Sequence, residues 1–374
     1  MRIGIDAHSA EKEGTGNCTY TRNLISELTK LDEENQYVIF VTDPHHPFYA
    51  TIAERPNVDI VPLRRSPAWL RVFLLLPIAA RRNKVDVLQV QYFGLYGGRR
   101  LINMIHDVAW MRFPEHFSRF ERLLFRALVP LSAQKAKVVL TSSGASKNDL
   151  IGLMHLSQEK VKVTYNGVSS AFSSTLFENH RVQDVCARYG LDRKFLLYVG
   201  RIDPRKNLVR LIQAYSYVRK RYSVDHQLAI AGKVYLEPQA LQHTLSSCEF
   251  YDDIRLCGYV SDEDLPALYR AADIFVYASE YEGFGLPPLE AMASGTPVVA
   301  SDISIFREIL SDAALLVNPF DVAAIGDGIH KTITDEQFRE TLIAKGRSRA
   351  KDFNWQTTAR LTLQAYQEAM KQPS

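Results

Sequence analysis

The chain has 374 residues, 46% of them hydrophobic and 23% charged, with a formal net charge of +3 from 45 basic and 42 acidic side chains. That length exceeds one ordinary core and predicts two domains, while so balanced a charge gives no argument for a nucleic-acid partner. The four cysteines, Cys18, Cys186, Cys248 and Cys257, contain no Cys-x-x-Cys pair, which reads as reduced thiols of a cytosolic protein rather than a zinc site or disulfide framework.

The sequence opens directly into a strand, Arg2-Ile3-Gly4-Ile5-Asp6, with no signal-peptide pattern ahead of it. Short apolar, β-branched runs predict further strands near 37–42, 58–62, 86–90, 101–106, 137–141 and 161–164. A second set follows near 195–199, 227–231, 253–257, 273–278, 297–300 and 313–317. Many of these runs are apolar at consecutive positions, as parallel strands covered on both faces require. Helical patterns alternate with them, so the predicted fold class is α/β, with two Rossmann-like, doubly wound domains. The changeover is expected at Asn166-Gly167-Val168, followed by a polar linker from Ser169 to Asn179. The longest apolar run, Val72 to Ala80, is broken by Pro77 and falls far short of the roughly 20 residues a membrane span needs.

In such folds ligands bind beyond the carboxyl ends of the strands, so those loops are the places to look. After the first strand, Gly14-Thr15-Gly16-Asn17 either brings backbone N–H groups to a phosphate or forms a plain tight turn. It lacks the third glycine of a dinucleotide fingerprint, which disfavours a nicotinamide oxidoreductase. Residues 64–84 and 119–137 have basic ends or basic faces around apolar side chains, among them Trp69, Phe120 and Leu123. They read as core-packing helices or as basic amphipathic segments on an anionic membrane. His106-Asp107 ends the strand that starts at Leu101; His106 is either structural or a hydroxyl ligand with a general acid/base role open to it.

The second half carries more signal. Gly200-Arg201-Ile202-Asp203-Pro204-Arg205-Lys206-Asn207 places three cations at a strand–helix junction. Arg201 and Lys206 suit a diphosphate clamp, and a basic surface loop is the alternative. Asp262-x-Asp264 resembles a divalent-metal pair, but Ser261 three residues before Asp264 favours a helix capping box, so no metal is expected. In Glu282-Gly283-Phe284-Gly285-Leu286-Pro287-Pro288-Leu289-Glu290, two carboxylates flank a glycine turn and a helix start. The turn's backbone donors suit an anion, and Gly283 and Gly285 allow close approach. The carboxylates would repel a phosphate and suit sugar or ribose hydroxyls instead. A solvated Glu282 and a Glu290 that complements the helix dipole are the competing reading.

Taken in order, Gly200-Arg201 with Lys206-Asn207, Gly258-Tyr259-Val260, Glu282 to Ala293, and Gly295-Thr296-Pro297-Val298-Val299 resemble the family 4 glycosyltransferases. The resemblance spans nearly the whole chain. Its detail is most similar to bacterial mannosyltransferases of O-antigen and exopolysaccharide assembly. It implies the GT-B fold, two Rossmann-like domains facing across a cleft. Residues 1–168 would bind the acceptor, joined by a last helix over 355–374, and residues 169–354 the nucleotide-sugar. It implies retaining transfer from a donor, GDP-mannose by this branch, to a glycan or lipid-linked glycan acceptor, in the cytoplasm or at the inner face of the cell membrane, without a metal or other cofactor. Arg201 and Lys206 would stabilise the departing diphosphate. Gly16, Gly283, Phe284, Gly285 and Leu286 would approach sugar and phosphates. Glu282 would accept from sugar hydroxyls, Glu290 from the ribose, and Tyr259 and Val260 would border the base. His106 would face the donor sugar near the reacting carbon.

The chain departs from the pattern in two places. Asn17 follows Gly16, which shifts Asn17 and Tyr20 toward a role in acceptor binding. Ile305-Phe306-Arg307-Glu308 stands where relatives carry Pro-Glu after Ser304. A UDP-sugar transferase of the same fold, an epimerase or phosphorylase, and a non-catalytic nucleotide-binding protein are the competing functions. The intact set of Arg201, Lys206, Glu282 and Glu290 argues against the last.

Overall fold

The computed structural model describes residues 1–94, 100–173, 179–234 and 239–372. The chain forms two compact units: Met1–Gly167 with Trp355–Ser374, and Val168–Asn354. The polar linker expected from Ser169 to Asn179 lies partly outside the described residues.

The first unit is built on seven strands: β1 (Arg2–Asp6), β2 (Gln36–Val41), β3 (Val58–Pro62), β4 (Val87–Gln91), β5 (Arg100–Met104), β6 (Val138–Thr141) and β7 (Val161–Val163). They pair in parallel in the order β3-β2-β1-β4-β5-β6-β7. The two-residue period of a strand sends alternate side chains to opposite faces. Thus Tyr37, Ile39 and Val41 join one apolar cluster while Val38 and Phe40 join the other. The first cluster is covered by helix Gly16–Leu31 and by helix Trp355–Lys371, whose Trp355, Ala359, Ala365 and Tyr366 are buried in it. The second is covered by side chains from helices 68–82, Arg119–Lys135 and Gly144–Met154. Both faces being covered explains why the strands read as near-continuous apolar runs.

The second unit carries β8 (Phe195–Val199), β9 (Gln227–Ala231), β10 (Ile254–Gly258), β11 (Ile274–Tyr277), β12 (Val298–Ser301) and β13 (Leu315–Val317). Their parallel order is β10-β9-β8-β11-β12-β13. In both sheets the winding reverses beside the first strand, between β1 and β4 and between β8 and β11. A crevice opens outside the carboxyl ends of the strands at such a reversal. The loops that leave β8 and β11 are 200–207 and 278–285, so the topology makes neighbours of segments about 75 positions apart.

One local expectation needs correcting. The capping box at Ser261 and Asp264 forms only by half: Asp264 N–H donates to Ser261 Oγ at 3.2 Å. The Asp264 carboxylate does not turn back to the serine. It pairs with Arg188 at 2.5 Å and accepts from the Tyr189 hydroxyl at 3.2 Å. The helix starts three residues later than a Ser261 cap would place it, at Leu265 with Asp264 as its cap, and a guanidinium competes better for a carboxylate than a neutral backbone donor does.

Candidate active site

In the second unit β8 leads into Gly200–Asn207. Asp203 accepts from the Arg205 backbone at 3.1 Å and from its guanidinium at 3.2 Å, which closes the short 3-10 turn Pro204–Lys206. Asn207 then adopts a left-handed conformation, φ +59°, one that asparagine tolerates better than most residues. From there its amide donates to Ala278 O at 3.0 Å and Pro319 O at 2.8 Å. The Asn207 side chain thus staples the β8 loop to the end of β11.

The staple brings Lys206 to Glu282. Nζ lies 2.5 Å from Oε1 of Glu282 and 3.1 Å from the Tyr277 hydroxyl, and the Ser279 hydroxyl donates to the same carboxylate oxygen at 2.8 Å. The lysine side chain is 13% exposed and the glutamate 11%, so the two charges are largely removed from water. Tyr277 is fully buried and stacks on Tyr198 at 5.5 Å. Tyr198 donates in turn to the carbonyl of Arg201 at 3.1 Å. Arg201, Lys206 and Glu282 therefore share one tyrosine scaffold at the reversal point. Sequence reasoning missed three members of it: Tyr277, Ser279 and the positioning role of Asn207. An asparagine immediately before a helix was the available signal for the last.

Beyond Glu282 the chain turns through Gly283 and Phe284 into helix Leu286–Ser294. Gly285 has φ +101°, and a Cβ there would meet the Phe306 ring at 2.6 Å, so both conformation and space require glycine. Pro287 and Pro288 lack N–H groups, and Leu289 N–H faces the Gly285 carbonyl one turn back, which leaves Gly285 and Leu286 as the donors of this helix start. Glu290 lies a full turn in, not in the dipole-complementing first turn. It is 9% exposed and accepts from the Tyr269 hydroxyl at 3.0 Å. Burial pushes its carboxyl up to about 7, against the opposing hydrogen bond from Tyr269. Tyr259 and Val260 follow β10, three strands from β11, or about 14 Å at sheet spacing. Val260 is buried, and Lys233 stands 4.3 Å over the Tyr259 ring.

In the first unit Thr15 caps the helix that Gly16 begins, accepting from Cys18 N–H at 3.2 Å. A Cβ at Gly16 would meet nothing within 4 Å, so the main chain there is open to approach. His106 is 8% exposed and lies edge-on to Tyr20, centroids 4.8 Å apart. Its Nε2 is 3.2 Å from Gln91 Oε1. The Gln91 amide donates to Ser9 Oγ at 2.9 Å and Thr21 Oγ1 at 2.6 Å, so its oxygen faces the ring and Nε2 carries the proton. Burial lowers the imidazole to about 4. His106 is thus neutral at physiological pH, with Nδ1 as its acceptor, and is ill suited to donate a proton as a general acid. Tyr20 is wholly buried between His106 and Trp355. The expected role of Tyr20 toward an acceptor is corrected: a large aromatic beside a glycine loop went into the core.

Among the described residues no group of three or more His, Cys, Asp or Glu is arranged to hold a metal ion, and no helix is long and apolar enough to cross a membrane.

Comparison with known proteins agrees with this architecture. The Glycosyltransferase Family 4 model matches residues 16–172 and the Glycosyl transferases group 1 model matches residues 188–349. The O-antigen chain mannosyltransferase B of Escherichia coli is 34% identical over 314 residues, 81% of each chain. The serotype-specific mannosyltransferase WbdA of the same organism is 30% identical over 62% of this chain, which spans only 29% of that longer protein. Among solved structures, Anabaena Alr3699/HepE in complex with UDP and glucose superimposes with a TM-score of 0.77 at 19% identity, covering 98% of this chain and 99% of that one. WaaG, a glycosyltransferase of lipopolysaccharide biosynthesis, gives 0.72 at 12% identity, covering 98% and 99%. Both show the GT-B fold. The chain belongs to glycosyltransferase family 4 and is a glycosyltransferase.

Proposed function

We propose that this glycosyltransferase moves mannose from GDP-mannose to a growing, lipid-linked glycan, with retention at the anomeric carbon and without a metal ion. The observation that carries the reading is the pairing of Lys206 with Glu282 beside the start of helix Leu286–Ser294. Transfer develops negative charge on the departing diphosphate, and fixed cations and backbone donors are the strongest lever on such a step. Lys206 and Arg201 would meet that charge, together with the N–H groups of Gly285 and Leu286. Glu282 and Glu290 would accept from hydroxyls of the sugar and the ribose, and Tyr259 and Val260 would border the base. Ribose hydroxyls would favour the ionised form of Glu290, whose carboxyl is raised to about 7, by burial foremost and by Asp262, against the hydrogen bond from Tyr269.

The assignment differs from that of retaining glycoside hydrolases, which use two carboxylates about 5 Å apart as acid and nucleophile. Here one carboxylate is held by Lys206 and Ser279 and the other by Tyr269, so neither is presented as a nucleophile. A front-face displacement fits better, with the leaving phosphate taking the acceptor's proton. Mannose is supported by the O-antigen mannosyltransferases among the relatives.

The acceptor side has its own support. Trp69 is 60% exposed, Phe120 72% and Leu123 71%, with Arg64, Arg65, Arg119, Arg122 and Arg126 nearby in sequence. Core packing, the simpler reading of these segments, leaves those side chains unexplained. Apolar side chains among arginines suit the surface of an anionic membrane, where a lipid-linked acceptor would lie, and the enzyme would then work at the inner face of the cell membrane.

The test is a thermal-shift series with GDP, UDP and ADP and their mannose and glucose conjugates, with and without EDTA, because a ligand that binds only the folded state raises its melting temperature. Selective stabilisation by GDP and GDP-mannose, unchanged by EDTA, is expected. A response confined to UDP would replace the donor, and no response at all would move the chain to the non-catalytic reading. A product of inverted anomeric configuration by NMR would overturn retention.

A further inference from the structure

The carboxyl ends of β1, β2 and β3 surround a cavity of about 280 Å³ that the donor chemistry does not use. Its wall is formed by Glu11, Asp43, His46, Arg65, Ser66 and Arg71. Glu11 is fixed by donors from the Thr42 backbone at 2.7 Å, the Asp43 backbone at 3.0 Å, the Tyr49 hydroxyl at 3.1 Å and the Thr42 hydroxyl. Asp43 and Arg65 meet only loosely, at 3.4 Å.

Two wall atoms are unsatisfied. Arg71 is only 9% exposed, yet its Nε–H has no hydrogen-bond partner among the described residues, and neither has the buried Ser66 hydroxyl. A buried donor left unpaired is costly, and in a native structure such a group calls for a missing ligand or water. Arg71 also opens the single π-helical turn Arg71–Leu75, in which Leu76 N–H donates back to the Arg71 carbonyl. Turns of this kind re-aim a side chain and often mark functional sites.

The wall carries two carboxylates, Glu11 and Asp43, and two guanidiniums, Arg65 and Arg71. A bare phosphate would face Glu11 and Asp43 as well as the cations. A polyol suits all of them, since its hydroxyls donate to Asp43 and accept from Arg71 and Ser66. At ~30 Å³ per water the cavity holds roughly nine waters, enough space for one sugar ring. We infer that this cavity is a subsite for one sugar of the acceptor glycan, held by Arg71 and Ser66, away from the sugar that receives the transferred residue. The inference rests on the reading of the chain as a transferase acting on a glycan. His106 follows β5, two strands from β1, the nearest strand that walls the cavity, about 10 Å at sheet spacing, which is wider than one sugar ring. The subsite therefore selects acceptors by length.

The test titrates the full chain with mono-, di- and trisaccharides of mannose, glucose, galactose and N-acetylglucosamine, and measures GDP thermal shifts on the same samples. Arg71→Lys keeps the charge and removes the Nε donor; Ser66→Trp fills the cavity from its loop and spares the core. Both are expected to weaken the binding of the preferred trisaccharide by about tenfold or more. The acceptor KM should rise with kcat unchanged, the monosaccharide should be used equally by all forms, and the GDP response should stay. Equal trisaccharide affinity in wild type and both variants overturns the subsite and leaves the transferase reading standing. Absence of any wild-type oligosaccharide binding, with the GDP shift intact, also overturns it and makes the cavity a water site. Oligosaccharide binding that depends on Arg71, without any nucleotide response, supports the subsite and sinks the transferase reading.

Discussion

The two sheets reverse their winding in the same way, yet they furnish the two reversal points with different chemistry. At β8 and β11 the groups are charged, and they neutralise each other across 2.5 Å. At β1 and β4 the buried carboxylate of Asp6 is bonded to His8 at 3.0 Å, and beside it uncharged groups dominate: Gln91, Ser9 and Thr21, with His106 from the end of β5, form a chain of hydrogen bonds against Tyr20. The charged point can trade one partner for an incoming anion. The chain of uncharged groups can orient a hydroxyl without paying to desolvate an ion. One fold thus offers one site suited to phosphate charge and another suited to sugar hydroxyls.

The largest effect is expected where the charged pair is cut. Lys206→Ala leaves Glu282 buried without its cation and should destabilise the protein by about 3–5 kcal/mol. It should also lower kcat by on the order of a hundredfold or more, the typical cost of one transition-state donor. Adding Glu282→Ala should restore much of the melting temperature and none of the activity, which separates stability from catalysis in a double-mutant cycle.

Glu290 gives the next effect, and its sign is definite. Burial raises its folded pKa from 4.5 to about 7, so between those values the folded state holds a proton that the unfolded state has released. Its contribution is complete below about 4.5 and is lost as pH rises toward 7, in total on the order of 3 kcal/mol. Glu290→Gln cannot ionise and should flatten the decline in unfolding free energy over that window, as measured by urea melts at successive pH. It should also weaken nucleotide binding.

His106 sharpens the other side of the comparison. Because its imidazole is held near 4, the rate should show no inflection between pH 5.5 and 8 that His106→Gln abolishes. If that variant removes such an inflection, the histidine titrates and the neutral description is wrong. The smallest effect belongs to Tyr20→Phe. It loses only a 3.3 Å hydrogen bond from Gln89, and the change should cost about 1 kcal/mol or less in stability, with the acceptor KM unchanged.

The fold was legible because many strands in both sheets are short apolar runs between helical patterns, a signal that buried parallel strands rarely avoid; β4, β5, β7 and β10 carry polar residues within theirs. Lys206 and Glu282 were legible as chemistry but not as a pair. Their meeting depends on β8 and β11 being neighbours, and 76 positions of sequence separate them. Tyr20 misled because a residue beside a glycine loop has no local mark of the face it will take on its helix. Arg71 was hidden for a related reason. In sequence it ends a basic run, and only the π turn takes it away from the surface where Arg64 and Arg65 remain.

Helix Trp355–Lys371 belongs to the first unit, although in sequence the whole second unit separates it from the rest of that unit. Its Tyr366 hydroxyl donates to Gln89 Oε1 at 2.5 Å, in the middle strand of the sheet, and Trp355 closes over Tyr20. A ribosome therefore delivers every residue of the second unit before the last wall of the first core exists. Domains commonly fold as units during synthesis, the N-terminal one first; here the second unit is complete first, and the first-made sheet keeps part of one apolar face uncovered until this helix has been made.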